Sequence, residues 1–176
     1  MRLFIAVNFS DEVKNRILEI QEQLRAQSLR GNFTLPQNFH LTLAFLGETP
    51  EEKAAGLFGI IKEIHAAPFE ISFNHTGCFT HTRKELWWIG ADPGSPGLPP
   101  LKSIHGGLLE LLIKAGFSVD SRPFSAHITL GREIKHSGSI VLDRPDIAVG
   151  VNRISLMKSE HIQGRLTYTE IFGKQI

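Results

Sequence analysis

Two strands of matching pattern constrain this chain more than any other feature of its sequence. Residues 40–43 read His-Leu-Thr-Leu and residues 127–130 read His-Ile-Thr-Leu. A proline stands four residues before each histidine, at Pro36 and Pro123. The approach to each motif is also alike. Strand, helix, proline-containing loop and His-x-Thr strand describe residues 2–47 and again residues 86–132. A unit that occurs twice predicts two lobes, each presenting one histidine. In a strand, residues i and i+2 share a face. His40 and Thr42 therefore point one way, and Leu41, Leu43 and Phe45 point the other, toward a helix-covered core. In the second motif His127 and Thr129 share a face, opposed by Ile128 and Leu130.

The rest of the chain reads around these strands. The apolar run 2–9 is a buried strand. Ser10 caps a helix whose apolar stripe is Val13, Ile17, Ile20 and Leu24. Residues 30–38 read as a loop. Residues 49–52, Thr-Pro-Glu-Glu, combine a threonine cap, a proline at the first helical position and a glutamate three residues after the cap. That helix buries Leu57, Ile61 and Ile64, and Pro68 ends it. Residues 69–79 and 85–92 are strands joined by a polar turn. The Pro/Gly-rich segment 93–100 is a loop. It leads into a helix with Leu101, Ile104, Leu108, Leu111 and Ala115 on one face and Gly116 at its C-terminal end. One or two further strands around a Gly-Arg turn complete the chain.

Two imidazoles and two hydroxyls facing one cleft suit displacement at phosphorus. That reaction needs a base on the nucleophile and an acid on the leaving oxygen, on opposite sides of an in-line centre. An imidazole titrates near neutrality, so one ring can be neutral while the other is protonated. Threonine hydroxyls can donate to the non-bridging phosphate oxygens. From the residues alone, either histidine fits either role. Arg132 adds positive charge. Strict alternation puts it on the face away from His127, unless Gly131 ends the strand or marks a bulge that re-aims it. A lone strand histidine is more often structural. His65, His75, His81, His105, His136 and His161 lack the repeated context and read that way. His-x-Thr offers no paired metal ligands, and no His-x-His or His-Glu-x-x-His run occurs, so no metal site is expected. Trp87 and Trp88 read as core and rim of a strand. Base stacking by Phe79 or a tryptophan is the alternative to core packing.

Composition narrows the classes. At 176 residues the chain is one ordinary domain or two small lobes sharing a core. Hydrophobic content of 41% and charged content of 21% describe a globular protein. A net charge of +1 argues against coating long nucleic acid, while leaving room to hold a few phosphates locally. Cys78 is the sole cysteine, so neither a disulfide framework nor a thiolate metal site is available, and a reduced, cytoplasmic setting fits. The N-terminal apolar stretch reads as a strand rather than a signal segment. No apolar run approaches membrane-span length.

The motif pair, the opening RLFIAVNFSDEVKNRI and the HLTLAFLGE context closely resemble the two-histidine (2H) phosphoesterases, in their branch of RNA 2′,3′-cyclic phosphodiesterases, also called 2′-5′ RNA ligases. The resemblance runs over nearly the whole chain, 1–176, as one bilobal domain. It implies an α+β fold with two antiparallel sheets around a central cleft, helices outside and lobes related by a pseudo-twofold. It implies hydrolysis, without cofactor or metal, of a 2′,3′-cyclic phosphate at an RNA 3′ end, leaving a 2′-phosphate, with 2′-5′ ligation as the formal reverse. His40 would donate a proton, His127 accept one, Thr42 and Thr129 hold the phosphate, and Arg132 match the arginine that often follows the second motif. The expected partner is RNA alone, met by a monomer that needs neither membrane nor protein partner. The alternatives are a phosphodiesterase acting on small cyclic nucleotides and a non-catalytic nucleotide-binding module. Residues 133–150 are hard to place on the family pattern.

Overall fold

The apolar run at the N-terminus forms β1 (Arg2–Asn8), buried on both faces along its middle. This computed structural model describes residues 1–82, 84–120 and 122–176. Ser10 caps α1 (Asp11–Ala26), its hydroxyl accepting from the Val13 N–H at 3.3 Å. Ile17, Ile20 and Leu24 are buried on one stripe, and Gln21 is buried with them. Where a loop was expected, the short strand β2 (Arg30–Phe33) pairs with a later strand, and residues 36–38 make one 3-10 turn. Four residues without an apolar pattern give no local signal; the open edge of a neighbouring strand orders them. The first motif strand, β3 (His40–Glu48), follows.

The start of α2 (Glu51–Lys62) differs from expectation. Pro50 occupies the flanking position, and the Thr49 hydroxyl donates to the Gly47 carbonyl at 3.3 Å instead of capping. A residue before proline is held extended, which keeps Thr49 outside the helix. Leu57, Ile61 and Ile64 are buried as expected. The helix ends at Lys62, well before Pro68. Strands β4 (Phe69–His81) and β5 (Lys84–Ala91) pair as an antiparallel hairpin; of the turn expected at 80–84, Arg83 lies outside the described residues. The loop is shorter than its composition suggests, because Pro99 and Pro100 lie in the first turn of α3 (Leu98–Lys114), where a missing N–H is harmless. In α3 the buried face is Leu101, Ile104, Leu108 and Leu112; Leu111 is half-buried and Ala115 exposed. Gly116, at φ +78°, follows the helix. The second motif strand is β6 (His127–Lys135), and β7 (Ile147–Val151), β8 (Arg153–Ile162) and β9 (Arg165–Gln175) complete the chain.

Two antiparallel sheets result, ordered β3-β1-β8-β9 and β2-β6-β5-β4-β7. The helix that leaves one sheet packs on the other: α1 follows β1 but lies against β2, β6 and β7, and α3 follows β5 but lies against β3. One continuous core results. It holds Leu3, Ile5, Leu41 and Leu43 of one sheet, Phe73, Ile89, Ile128 and Leu130 of the other, and the apolar helix stripes. The opposite faces of the two sheets are left to form a cleft.

Candidate active site

The strand registers define what faces that cleft. Across the first sheet, Asn8 pairs with His40, Ala6 with Thr42 and Phe4 with Phe45. Across the second, the rows are His127–Gly90–His75, Thr129–Trp88–Gly77 and Arg132–Leu86–Phe79. Directly paired residues share a face. His40 and Thr42 therefore stand on one wall and His127 and Thr129 on the other.

Both motif strands break alternation at the same place. Thr42 pairs with Ala6 and Ala44 with Ile5, which leaves Leu43 as an extra residue. Thr129 pairs with Trp88 and Gly131 with Trp87, which leaves Leu130 extra. These are β-bulges, one at the leucine of each His-x-Thr-Leu. After each bulge, the fifth residue past the histidine returns to the histidine's face. Arg132 thus joins His127, resolving the question its position raised. By the same step Phe45 leaves the core, where alternation had put it, and is 48% exposed beside Phe4. The Arg2 guanidinium lies 5.2 Å from its ring centre.

Each imidazole is held in one tautomer by the carbonyl two residues earlier. His40 Nδ1–H donates to the Asn38 carbonyl at 2.7 Å, and His127 Nδ1–H donates to the Ser125 carbonyl at 2.8 Å. Asn38 is itself fixed, its side-chain amide donating to the Leu166 carbonyl at 2.8 Å. Nε2 is therefore the nitrogen left free of the backbone on both rings. In neutral His40 it accepts from the Thr42 hydroxyl at 2.9 Å. The His40 ring lies 4.8 Å from Phe4 and meets Tyr168 edge-on at 5.3 Å. That burial is the main reason its pKa falls to about 4, with the charges of Arg132 and His127 adding to the effect. Burial also lowers the His127 pKa, again reinforced by Arg132. The Arg132 guanidinium acts on both rings and on Tyr168, so it belongs to the space between the walls.

The structure adds residues that sequence reasoning set aside. Trp87 packs against the core as expected, but Trp88 lies on the cleft face, 6.4 Å from His127. Phe79 is 43% exposed and meets His127 edge-on at 5.4 Å and Trp88 at 5.1 Å. His75, read as structural, reaches across Gly90 toward His127: a Cβ on Gly90 would sit 2.4 Å from His75 Nε2. A Cβ on Gly77 would sit 2.4 Å from the Trp88 indole. Two small residues on adjacent strands thus make room for the aromatic rings that line this wall. The spacing Gly77/Gly90 around Trp88 was visible in the sequence, but only the strand register gives it meaning. His136 pairs with Glu85 at 3.0 Å, away from the histidine rows. Among the described residues, no group of three His, Cys, Asp or Glu side chains is placed to hold a metal ion.

The comparisons with known proteins agree with this architecture. The family model described as LigT like Phosphoesterase matches residues 7–88, which include the first motif. The RNA 2′,3′-cyclic phosphodiesterase of Archaeoglobus fulgidus is 35% identical over 144 residues, covering 81% of this chain and 78% of the relative. That of Thermotoga maritima is 30% identical over 168 residues, covering 90% and 87%. The crystal structure of Escherichia coli LigT complexed with 3′-AMP superposes with a TM-score of 0.84 at 26% identity, over 99% of this chain and 97% of that one. Sequence, fold and paired motifs converge: the chain belongs to the LigT-like family of two-histidine phosphoesterases.

Proposed function

We propose that the protein hydrolyses the 2′,3′-cyclic phosphate at an RNA 3′ end, leaving a 2′-phosphate, with residues 1–176 acting as one two-histidine domain. One observation carries this reading. Two His-x-Thr strands from different sheets each present an Nε2 with its tautomer fixed, and one guanidinium acts on both rings. The names of the relatives give the substrate class.

In the proposed step a water oxygen attacks phosphorus in line with O3′. His127 Nε2 takes the water proton, the P–O3′ bond breaks, and His40 Nε2–H protonates O3′. Thr42, Thr129 and Arg132 hold the non-bridging oxygens, whose charge grows as the water adds. The assignment of donor and acceptor follows the family resemblance. In the free protein His40 is neutral at pH 7, so it must take up its proton as the anionic phosphate arrives. A negative charge beside the ring offsets the field of Arg132 and raises the pKa. Running the step backward, with an RNA 5′-hydroxyl in the place of water, is 2′-5′ ligation; bulk water makes hydrolysis the net direction.

A second enzyme reading is hydrolysis of small cyclic nucleotides. The wall beyond His127 favours an RNA chain. From Phe79 and Trp88 it continues past His75 into an open groove of about 550 Å³ bounded by Pro93, Leu142 and Arg144. This is more room than one terminal nucleotide needs. The proposed setting is a monomer in the reduced cytoplasm, and no helix among the described residues is long and apolar enough to cross a membrane. The test is turnover of a short oligoribonucleotide ending in a 2′,3′-cyclic phosphate, followed by phosphorus NMR. The expected product is the 2′-phosphomonoester, with kcat/KM rising with chain length. A 3′-phosphate product reverses the bound orientation. Absence of turnover leaves a binding module and defeats the reading.

A further inference from the structure

Each of the two bulges that aim the site is met by one polar side chain from a helix, Gln21 of α1 or His105 of α3. A bulge interrupts the regular ladder, so the carbonyl of the extra residue needs another donor. In the second sheet the Thr34 N–H supplies one to the Leu130 carbonyl at 3.0 Å, and Gln21 of α1 supplies a second. Its Nε2 donates to the Leu130 carbonyl at 2.7 Å and to the Thr34 carbonyl at 2.8 Å. Gln21 is fully buried, an uncommon place for an amide, and its Oε1 has no hydrogen-bond partner among the described residues. In the first sheet the donor is His105 of α3, whose Nδ1–H donates to the Leu43 carbonyl at 2.8 Å. Its ring stacks on Phe124 at 4.1 Å and 17°.

These contacts are reciprocal. Gln21 joins the segment that leads into His40, through Thr34, to the bulge that follows His127. His105 joins the segment that leads into His127, through Phe124, to the bulge that follows His40. Each helix crosses from its own sheet to the other, so each side chain reaches a motif strand remote from it in sequence.

We infer that Gln21 and His105 are a pseudo-symmetric pair of positioning residues: each fixes the bulge that turns Arg132 or Phe45 onto the histidine face, and together they register the two motif strands against one another. Neither side chain faces the cleft, and neither touches substrate. Loss of the Gln21 donor leaves the Leu130 carbonyl to the Thr34 N–H alone and cuts the tie that holds the bulge to α1. Closing the bulge would return Arg132 to the alternate face, away from both imidazoles. The inference rests on the proposed function for its activity readout, and on the geometry of Arg132 for an independent one.

The test compares Gln21→Leu, Arg132→Ala and the double variant on a short oligoribonucleotide with a 2′,3′-cyclic phosphate end. Gln21→Leu should lower kcat/KM by roughly 10- to 100-fold, the order expected when a reacting group is displaced by about 1 Å. Adding it to Arg132→Ala should cost less than about threefold more, because both changes remove the same guanidinium. Losses that multiply would overturn the inference, as would a Gln21→Leu protein that is less stable but fully active. In the other lobe, His105→Gln keeps a donor of the kind α1 already uses and should stay within about threefold of wild type, while His105→Leu should fall by roughly 10-fold or more. Equal loss in both His105 variants would show that the hydrogen bond is not what matters. This pair decides the question even where Gln21→Leu does not fold. The independent readout is the Arg132 Nε–Hε resonance on adding inorganic phosphate. It should shift in wild type and His105→Gln and lose that response in Gln21→Leu. A wild-type protein without turnover defeats the proposed function alone, since the phosphate titration still decides the positioning role; an unchanged Arg132 response in Gln21→Leu defeats the positioning role.

Discussion

Acid should weaken this protein through His40, and the effect can be sized from the site. The ring is desolvated between Phe4 and Tyr168 and faces the charge of Arg132, which together take its pKa from 6.5 to about 4. In the unfolded chain the imidazole takes its proton near pH 6.5; in the folded protein it does so only near pH 4. Between those values the unfolded state binds more protons, so stability rises with pH. The contribution is complete above pH 6.5, shrinks as pH falls from 6.5 toward 4, and is gone below about pH 4. One pKa unit is worth about 1.4 kcal/mol, so the full shift corresponds to about 3 kcal/mol. Urea unfolding of wild type and His40→Gln, measured from pH 7.5 to pH 4, isolates it, because other titrating groups are common to both. Wild type should lose about 3 kcal/mol more than His40→Gln over that range. Parallel stability profiles, or a His40 proton resonance titrating near 6.5, would refute the reasoning. The same electrostatics bear on catalysis. Both pKa values are lowered in the free protein, so the bell-shaped profile of kcat/KM should centre on the acid side of 6.5. The profile of kcat, which reports the complex, should lie at higher pH because the bound phosphate opposes the charge of Arg132. Coincident profiles would contradict that compensation.

The remaining predictions concern chemistry and core. His40→Ala and His127→Ala should each lose roughly 10²–10⁴-fold in rate, and the double variant should lose far less than the product of the two; a fully active His127→Ala protein contradicts the assignment. His65→Ala, at an exposed position away from the cleft, should match wild type in the same assay. Activity should persist in EDTA; loss on chelation with recovery on adding zinc or manganese would show that a metal takes part. Phe73, fully buried in the shared core, should cost about 3–5 kcal/mol when cut to alanine, read as a lower urea midpoint; a change under 1 kcal/mol would mean that the core collapses to fill the space.

The sequence by itself determined the parts of this protein that follow from local geometry. Two-residue alternation put His40 with Thr42 and His127 with Thr129, and sent Leu41, Leu43, Ile128 and Leu130 into the core, because successive side chains of any strand take opposite faces. Helical periodicity found Ile17, Ile20 and Leu24 of α1 and Leu101, Ile104 and Leu108 of α3 for the same kind of reason, though it placed Leu111 and Ala115 where Leu112 is buried, and the doubled motif announced two lobes. Tertiary structure decided what depends on partners remote in sequence. The four residues of β2 carry no pattern and form a strand only against β6. Alternation failed at Phe45 and was ambiguous at Arg132, because a bulge is a property of a strand pair, not of the strand alone. His75 and Phe79 reach the cleft only through their pairing with Gly90 and Leu86. His105 looked like any structural histidine until α3 crossed onto the other sheet. Backbone sterics act over a few residues and can be read from them; register, bulges and the lowered imidazole pKa values arise from groups brought together by folding.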